Sequence, residues 1–99
     1  MLIKLSPSRV DKELIVSKKD DVLTVNGEVF DFSPLKEGQV LPADAIKSEW
    51  FIGDVSRVEG ELILTLVLPH GPNPSQNVAF PKDLVNVKNG KVKLPTGDK

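Results

Sequence analysis

The chain contains no cysteine and no tyrosine, and only one tryptophan and one histidine among its 99 residues. Without cysteine there are no disulfides and no thiolate metal sites, a composition at home in a reducing cytoplasm. One histidine cannot build a tetrahedral zinc site within one chain. Aromatic residues amount to 5%, which argues against base or sugar stacking, where aromatic platforms carry the contact. No apolar run approaches the roughly 18 residues that cross a bilayer, and the opening Met1-Leu2-Ile3-Lys4-Leu5-Ser6-Pro7 lacks the basic-then-apolar layout of a signal peptide. The phosphate-cradling patterns G-x-x-x-x-G-K-[ST] and G-x-G-x-x-G are missing, as is an Asp-x-Asp-x-Asp-Gly calcium loop. No cofactor and no metal are therefore expected.

Charge is equally uncommitted in sum. The net value is −1, so no global field favours nucleic acid or an anionic membrane, and neither is expected as a partner. Its distribution is uneven. Met1–Lys19 carries five basic and two acidic residues, Asp20–Glu61 three and ten, and Leu62–Lys99 five and two. A sheet that folds the ends onto the middle pairs these regions within the chain or between copies, although exposed ion pairs contribute little.

What is present is one short pattern used three times: alternating apolar residues, a two-residue turn, and alternation again. It occurs at Val22–Phe32 around Asn26-Gly27, at Phe51–Leu68 around Glu59-Gly60, and at Val85–Leu94 around Asn89-Gly90. Asn and Gly tolerate the positive φ of a type I′ turn, whose twist matches that of paired strands. The fold class expected is all-β: antiparallel hairpins forming a small sandwich or partly open barrel, with at most one short helical turn near 42–48, after Pro42. Residues 1–99 are read as a single β domain with 95–99 as a polar tail.

Detailed pairings follow. Leu2, Ile3 and Leu5 form a first strand stopped by Ser6-Pro7, and Ser8–Lys12 a connection. The run Leu14-Ile15-Val16 ends at the charged cluster Lys18–Asp21. In the first hairpin Val25 opposes Glu28 and Leu23 opposes Phe30, which places Leu23, Val25, Phe30 and Phe32 on the core face. Pairing across Glu59-Gly60 puts Phe51, Val55, Leu62, Leu64, Leu66 and Leu68 on one face and sets Trp50 opposite Pro69; a Gly bulge at that turn would shift the register. Asn77–Phe80 reads as a short edge strand. The third hairpin pairs Val87 with Val92 and Val85 with Leu94.

Residues able to do chemistry are few. A Ser-His-Asp arrangement would have to use His70 with Ser48, Ser56 or Ser75, but no strand-turn-helix elbow surrounds these serines. The carboxylate pairs Asp20/Asp21 and Glu59/Glu61 lie at turns, the wrong place for general acid–base work, which needs a carboxyl shielded from water. Lys82, Lys88, Lys91 and Lys93 form a modest basic patch without interleaved aromatics. No catalysis is expected. The candidate interaction surface is Trp50, His70, Pro72 and Asn73, because Pro69–Gln76 holds three of the eight prolines and stiff loops lose little entropy on binding. Trp50 has a second reading, as a cap on one end of the core.

Three stretches taken together carry a resemblance: Asn26–Leu35, then Leu41–Ile46 leading to Trp50–Gly53, then Leu64–Leu68 running into Pro69–Asn73. The chain resembles small uncharacterised proteins encoded in bacteriophage and prophage genomes near tail and tail-fibre genes. The likeness covers roughly residues 1–95 and consists of turns and loops, so it implies a genomic setting and no site residues. It points to a non-enzymatic accessory protein acting through protein–protein contacts, as a small tail component or assembly factor, in the host cytoplasm or the virion. Its partner would be a phage structural protein or a host protein, and exposed edge strands make a homo-oligomer a further expectation. The alternative is a binding module aimed at a host protein.

Overall fold

In a computed structural model the chain forms two four-stranded sheets facing each other; the structure describes residues 1–10, 12–72 and 76–94. The elements in order are β1 (Leu2–Arg9), β2 (Val16–Lys19), β3 (Val22–Val25), β4 (Glu28–Asp31), β5 (Val40–Leu41), α1 (Ala43–Ile46), β6 (Val55–Val58), β7 (Glu61–His70), α2 (Gln76–Ala79) and β8 (Gly90–Lys91). The first sheet has the order β1-β7-β6-β5 and the second β4-β3-β2-β8. Neither closes into a barrel. All pairs are antiparallel except β1 with β7, which run parallel from Leu2 opposite Ile63 to Arg9 opposite His70.

Alternation explains the core. In β7 the residues Leu62, Leu64, Leu66 and Leu68 are all buried, while Ile63, Thr65 and Val67 between them are half-buried on the outer face. Opposite them the second sheet turns in Val16, Leu23, Val25 and Phe32, and these form one apolar cluster with Leu62, Leu64, Leu66, Ile3, Val55 and Val92. Among the described residues no polar or charged side chain is buried. Phe51 stands between the layers, its ring edge-on to Phe30 (centroids 4.8 Å apart) and to Phe32 (5.8 Å).

The first hairpin has the expected register, Val25 opposite Glu28 and Leu23 opposite Phe30. Its turn takes φ 48° at Asn26 and 85° at Gly27, as type I′ geometry requires. The second hairpin also closes through a two-residue turn, Val58 opposite Glu61, with φ 51° at Glu59 and 78° at Gly60. Its register then slips, because Ser56 opposes Ile63 but Phe51 bridges Leu66. Two extra residues are accommodated around Gly53, whose φ is 70°. The Trp50 carbonyl consequently accepts the Val67 amide (2.9 Å), and Trp50 does not lie opposite Pro69. A slip of two preserves the face of every side chain, so Phe51 and Val55 are buried as the alternation requires.

Four other expectations are corrected. β1 does not stop at Ser6-Pro7. The Ile3 amide points away from β7, to the Leu84 carbonyl (3.0 Å); Pro7, four residues on, places its missing N–H on that same outward side, so the ladder loses nothing. The charged cluster Lys18–Asp21 does not end a strand before it. Lys18 and Lys19 belong to β2, and Asp20-Asp21 is the turn into β3, Lys19 opposing Val22. The third hairpin does not form. Gly90 and Lys91 pair with Lys18 and Ser17, and the Val92 amide reaches the Val16 carbonyl (2.8 Å), making this segment the edge of the second sheet. Finally, 76–79 is a helical turn rather than an edge strand, its Phe80 amide bonded to the Gln76 carbonyl at 2.9 Å. It is a second turn beside α1, where one at most was expected. The proposed tail 95–99 lies outside the described residues.

Candidate interaction surface

Trp50 follows Ser48, whose hydroxyl accepts the Trp50 amide at 3.2 Å, a local turn that swings the indole inward. The side chain is only 8% exposed and joins the core cluster. It caps one end of the interior, and the reading of an exposed indole is set aside. Above it lies a cleft of about 440 Å³ whose rim carries Lys12, Lys47, Glu28 and Glu49. Lys12 and Glu49 pair across it at 3.3 Å, both well exposed. With two charges of each sign, this rim has no preference for anion or cation.

His70 ends β7 and is half-buried; its carbonyl accepts the Val10 amide (3.3 Å). The ring nitrogen Nδ1 lies 2.6 Å from the Gly71 carbonyl, which fixes Nδ1 as the protonated nitrogen. Ser56 opposes Ile63, seven residues up β7 from His70, about 23 Å away at strand rise. The hydroxyl of Ser48 is engaged by the Trp50 amide, and Ser75 lies outside the described residues. Pro72 is exposed, and Asn73 lies outside the described residues. The four candidate residues are thus not gathered into one surface: Trp50 belongs to the core, while His70 and Pro72 begin the connection that leads through α2 to Phe80.

Phe80 is the residue that sequence reasoning missed. Its ring is 77% exposed, the most exposed large apolar side chain among the described residues, yet its backbone is held by the bond to Gln76 and by Val78, which is buried. The signal available was Pro81, which disfavours helix for the residue before it and so ends α2 at this point. Val85, also exposed, follows on the same stretch.

Several of the described titratable groups are engaged structurally. Asp31 accepts the Ser33 amide at 2.9 Å; that bond, with a second from the Ser33 hydroxyl, holds its carboxyl below the ordinary 3.8. Arg57, on the core-facing side of β6, bonds the Leu35 carbonyl, the Phe32 carbonyl (3.3 Å), the Gly60 carbonyl (3.4 Å) and Asp21 (3.1 Å). Glu37 accepts the amides of Glu59 (2.6 Å) and Gly60 (2.7 Å). Among the described residues no three His, Cys, Asp or Glu side chains converge as metal ligands, and no helix is long and apolar enough to cross a membrane.

Comparison with protein-family models found no match, and neither did comparison with curated proteins or with solved structures.

Proposed function

We propose that this chain is a non-enzymatic accessory protein that acts by docking another protein on the connection after β7, with Phe80 as its anchor. The observation that carries this reading is an aromatic ring left 77% exposed on a fixed backbone. Burying such a ring contributes about 1.5–3 kcal/mol, and a pre-ordered anchor loses little entropy when it does so. His70 and Pro72 begin the same connection and are offered with Phe80 as the docking face; Asn73, drawn from the sequence with them, lies outside the described residues.

The resemblance to phage and prophage proteins of tail gene regions supports a small tail component or assembly factor as the role, with the host cytoplasm or virion as the place. The test uses the chain as bait in lysate of phage-infected cells, beside a Phe80→Ala variant whose melting temperature matches the parent. Recovery of a phage structural protein by the parent and its loss with Phe80→Ala is the expected result. Recovery of a host protein alone selects the host-directed module, and equal recovery by both baits overturns the Phe80 surface.

A further inference from the structure

The second sheet ends in two unlike edges. On one side is β4, whose hydrogen-bonded pairs with β3 are Glu28 with Val25 and Phe30 with Leu23, continued by the Phe32 amide on the Asp21 carbonyl (2.9 Å). Val29 and Asp31 therefore turn their amides and carbonyls outward. On the other side is β8. The Val92 amide bonds the Val16 carbonyl (2.8 Å) and Gly90 opposes Lys18, so Lys91 between them turns its own backbone groups outward. One edge thus offers Glu28 and Asp31, and the other offers Lys91 followed by Lys93.

Side chains and direction agree with these backbone groups. Leu23 and Val25 face the core, so Val29 and Asp31 lie on the outer face, where Val29 is 64% exposed. Val92 faces the core, so Lys91 lies on the outer face as well. Every pair in this sheet is antiparallel, so β4 and β8 at its two ends run in opposite directions. A copy added beside the first in the same orientation presents its β8 antiparallel to β4. Outward backbone groups then meet outward backbone groups, and outer-face side chains stay on the outer face.

We propose that copies of this chain join head to tail, the β8 edge of one pairing with the β4 edge of the next, with Lys91 opposite Asp31 and Lys93 opposite Val29. Opposite charges directly across a ladder stabilise it, and like charges there destabilise it. Pairing β4 with β4 instead sets two acidic edges together, and β8 with β8 two basic ones. Charged edge residues ordinarily blunt an edge against its own kind; here each edge blunts itself and fits the other. The first sheet offers no equivalent, since β1 is capped at Ile3 by Leu84 and the opposite edge, β5, is Val40-Leu41 with no charged side chain to match. The contact is heterologous, so it propagates until rotation closes a ring. It uses none of the residues of the Phe80 surface.

The test is the mass in solution between about 1 μM and about 1 mM, the span over which a weak edge contact is populated. The parent chain is expected to rise from monomer through successive copies. Asp31→Lys and Lys91→Glu, each shown to be folded at the temperature of measurement, are each expected to weaken association roughly tenfold or more, equivalent to about 1.4 kcal/mol. Mixing the two variants is expected to restore it, because each then meets an opposite charge at both contacts. A parent that stays monomeric at the upper concentration overturns the proposal. So does association that survives Lys91→Glu, or variants that fail to rescue one another. Phe80→Ala is expected to leave the self-association unchanged, which separates failure here from failure of the docking surface.

Discussion

At the scale of single residues, Arg57 does the most to hold the layers in place. It belongs to the first sheet, yet its guanidinium reaches Asp21 at the β2–β3 turn of the second and two carbonyls of the segment that joins β4 to β5. Its side chain is 14% exposed, against 41% for Asp21, so the carbonyl bonds matter more than the ion pair. Arg57→Ala removes the donor to the Leu35 carbonyl and leaves the Phe32 carbonyl only the Leu35 amide (3.0 Å), and is expected to cost about 2–3 kcal/mol in urea unfolding. Asp21→Asn, at the solvent-exposed end, is expected to cost under about 1 kcal/mol. Equal costs would show the ion pair to be the dominant bond. Asp31 supplies a pH test. Its carboxyl titrates below the ordinary 3.8 when folded, so its charge stabilises the fold above that value and the contribution is lost as pH falls through the lowered pKa. Asp31→Asn is expected to melt lower than the parent at neutral pH, with the gap closing as melts are repeated below about pH 3.8. A gap unchanged down to pH 2 would refute the assignment.

At the scale of elements, the turns explain both what the sequence made legible and what it hid. Asn26-Gly27 announced a hairpin, and it formed because Asn26 both tolerates φ 48° and uses its side chain, accepting the Ile15 amide (2.6 Å) and donating to the Glu13 carbonyl (3.0 Å). Asn89-Gly90 looked the same in one dimension. There the Asn89 side-chain oxygen Oδ1 instead accepts the Asp20 amide (2.8 Å) and the Lys18 ammonium (2.9 Å), tying the segment to a turn distant in the chain. No local pattern distinguishes these two uses. Core faces were readable because alternation fixes them, and even the slip at Gly53 left them intact. The parallel partner of β1 was not readable, and Trp50 stood open between an exposed contact and a cap on the core, since both depend on which strand arrives as neighbour. The candidate surface suffered for the same reason: exposure at Phe80 and shelter at Trp50 are set by packing.

The Glu59-Gly60 turn carries an element-scale prediction. A glutamate at φ 51° is strained, costing about 1 kcal/mol, and Glu37 offsets this by accepting both turn amides. Glu59→Gly keeps those amides and removes the strain. It is expected to raise stability by about 0.5–1 kcal/mol, measured as a shift of the urea midpoint. In contrast, Glu37→Ala is expected to speed hydrogen exchange at Glu59 and Gly60 ahead of any change in β7. Slower exchange, or no change, would mean that the turn holds itself.

At the scale of the whole molecule, the two sheets are joined along both flanks. On one flank the chain passes from β4 to β5, and the guanidinium of Arg57 is planted in that passage. On the other, the segment after α2 first pairs with the edge of the first sheet, the Leu84 amide to the Ile3 carbonyl (2.8 Å), and then reaches the second sheet through the amide of Val92. That segment is therefore a strap across an open side, covering Ile3 and Val92, both of which lie in the shared core. Leu84→Pro removes the amide that anchors it. If the strap acts as one unit, exchange protection at Ile3 and at Val92 falls together in this variant, while protection at Phe32 on the opposite flank persists. Loss confined to Ile3 would show that the Val92 contact stands alone. Loss at Phe32 as well would show that the two flanks open as one cooperative body, and that the strap is part of the fold's global stability rather than a clasp added to a finished sandwich.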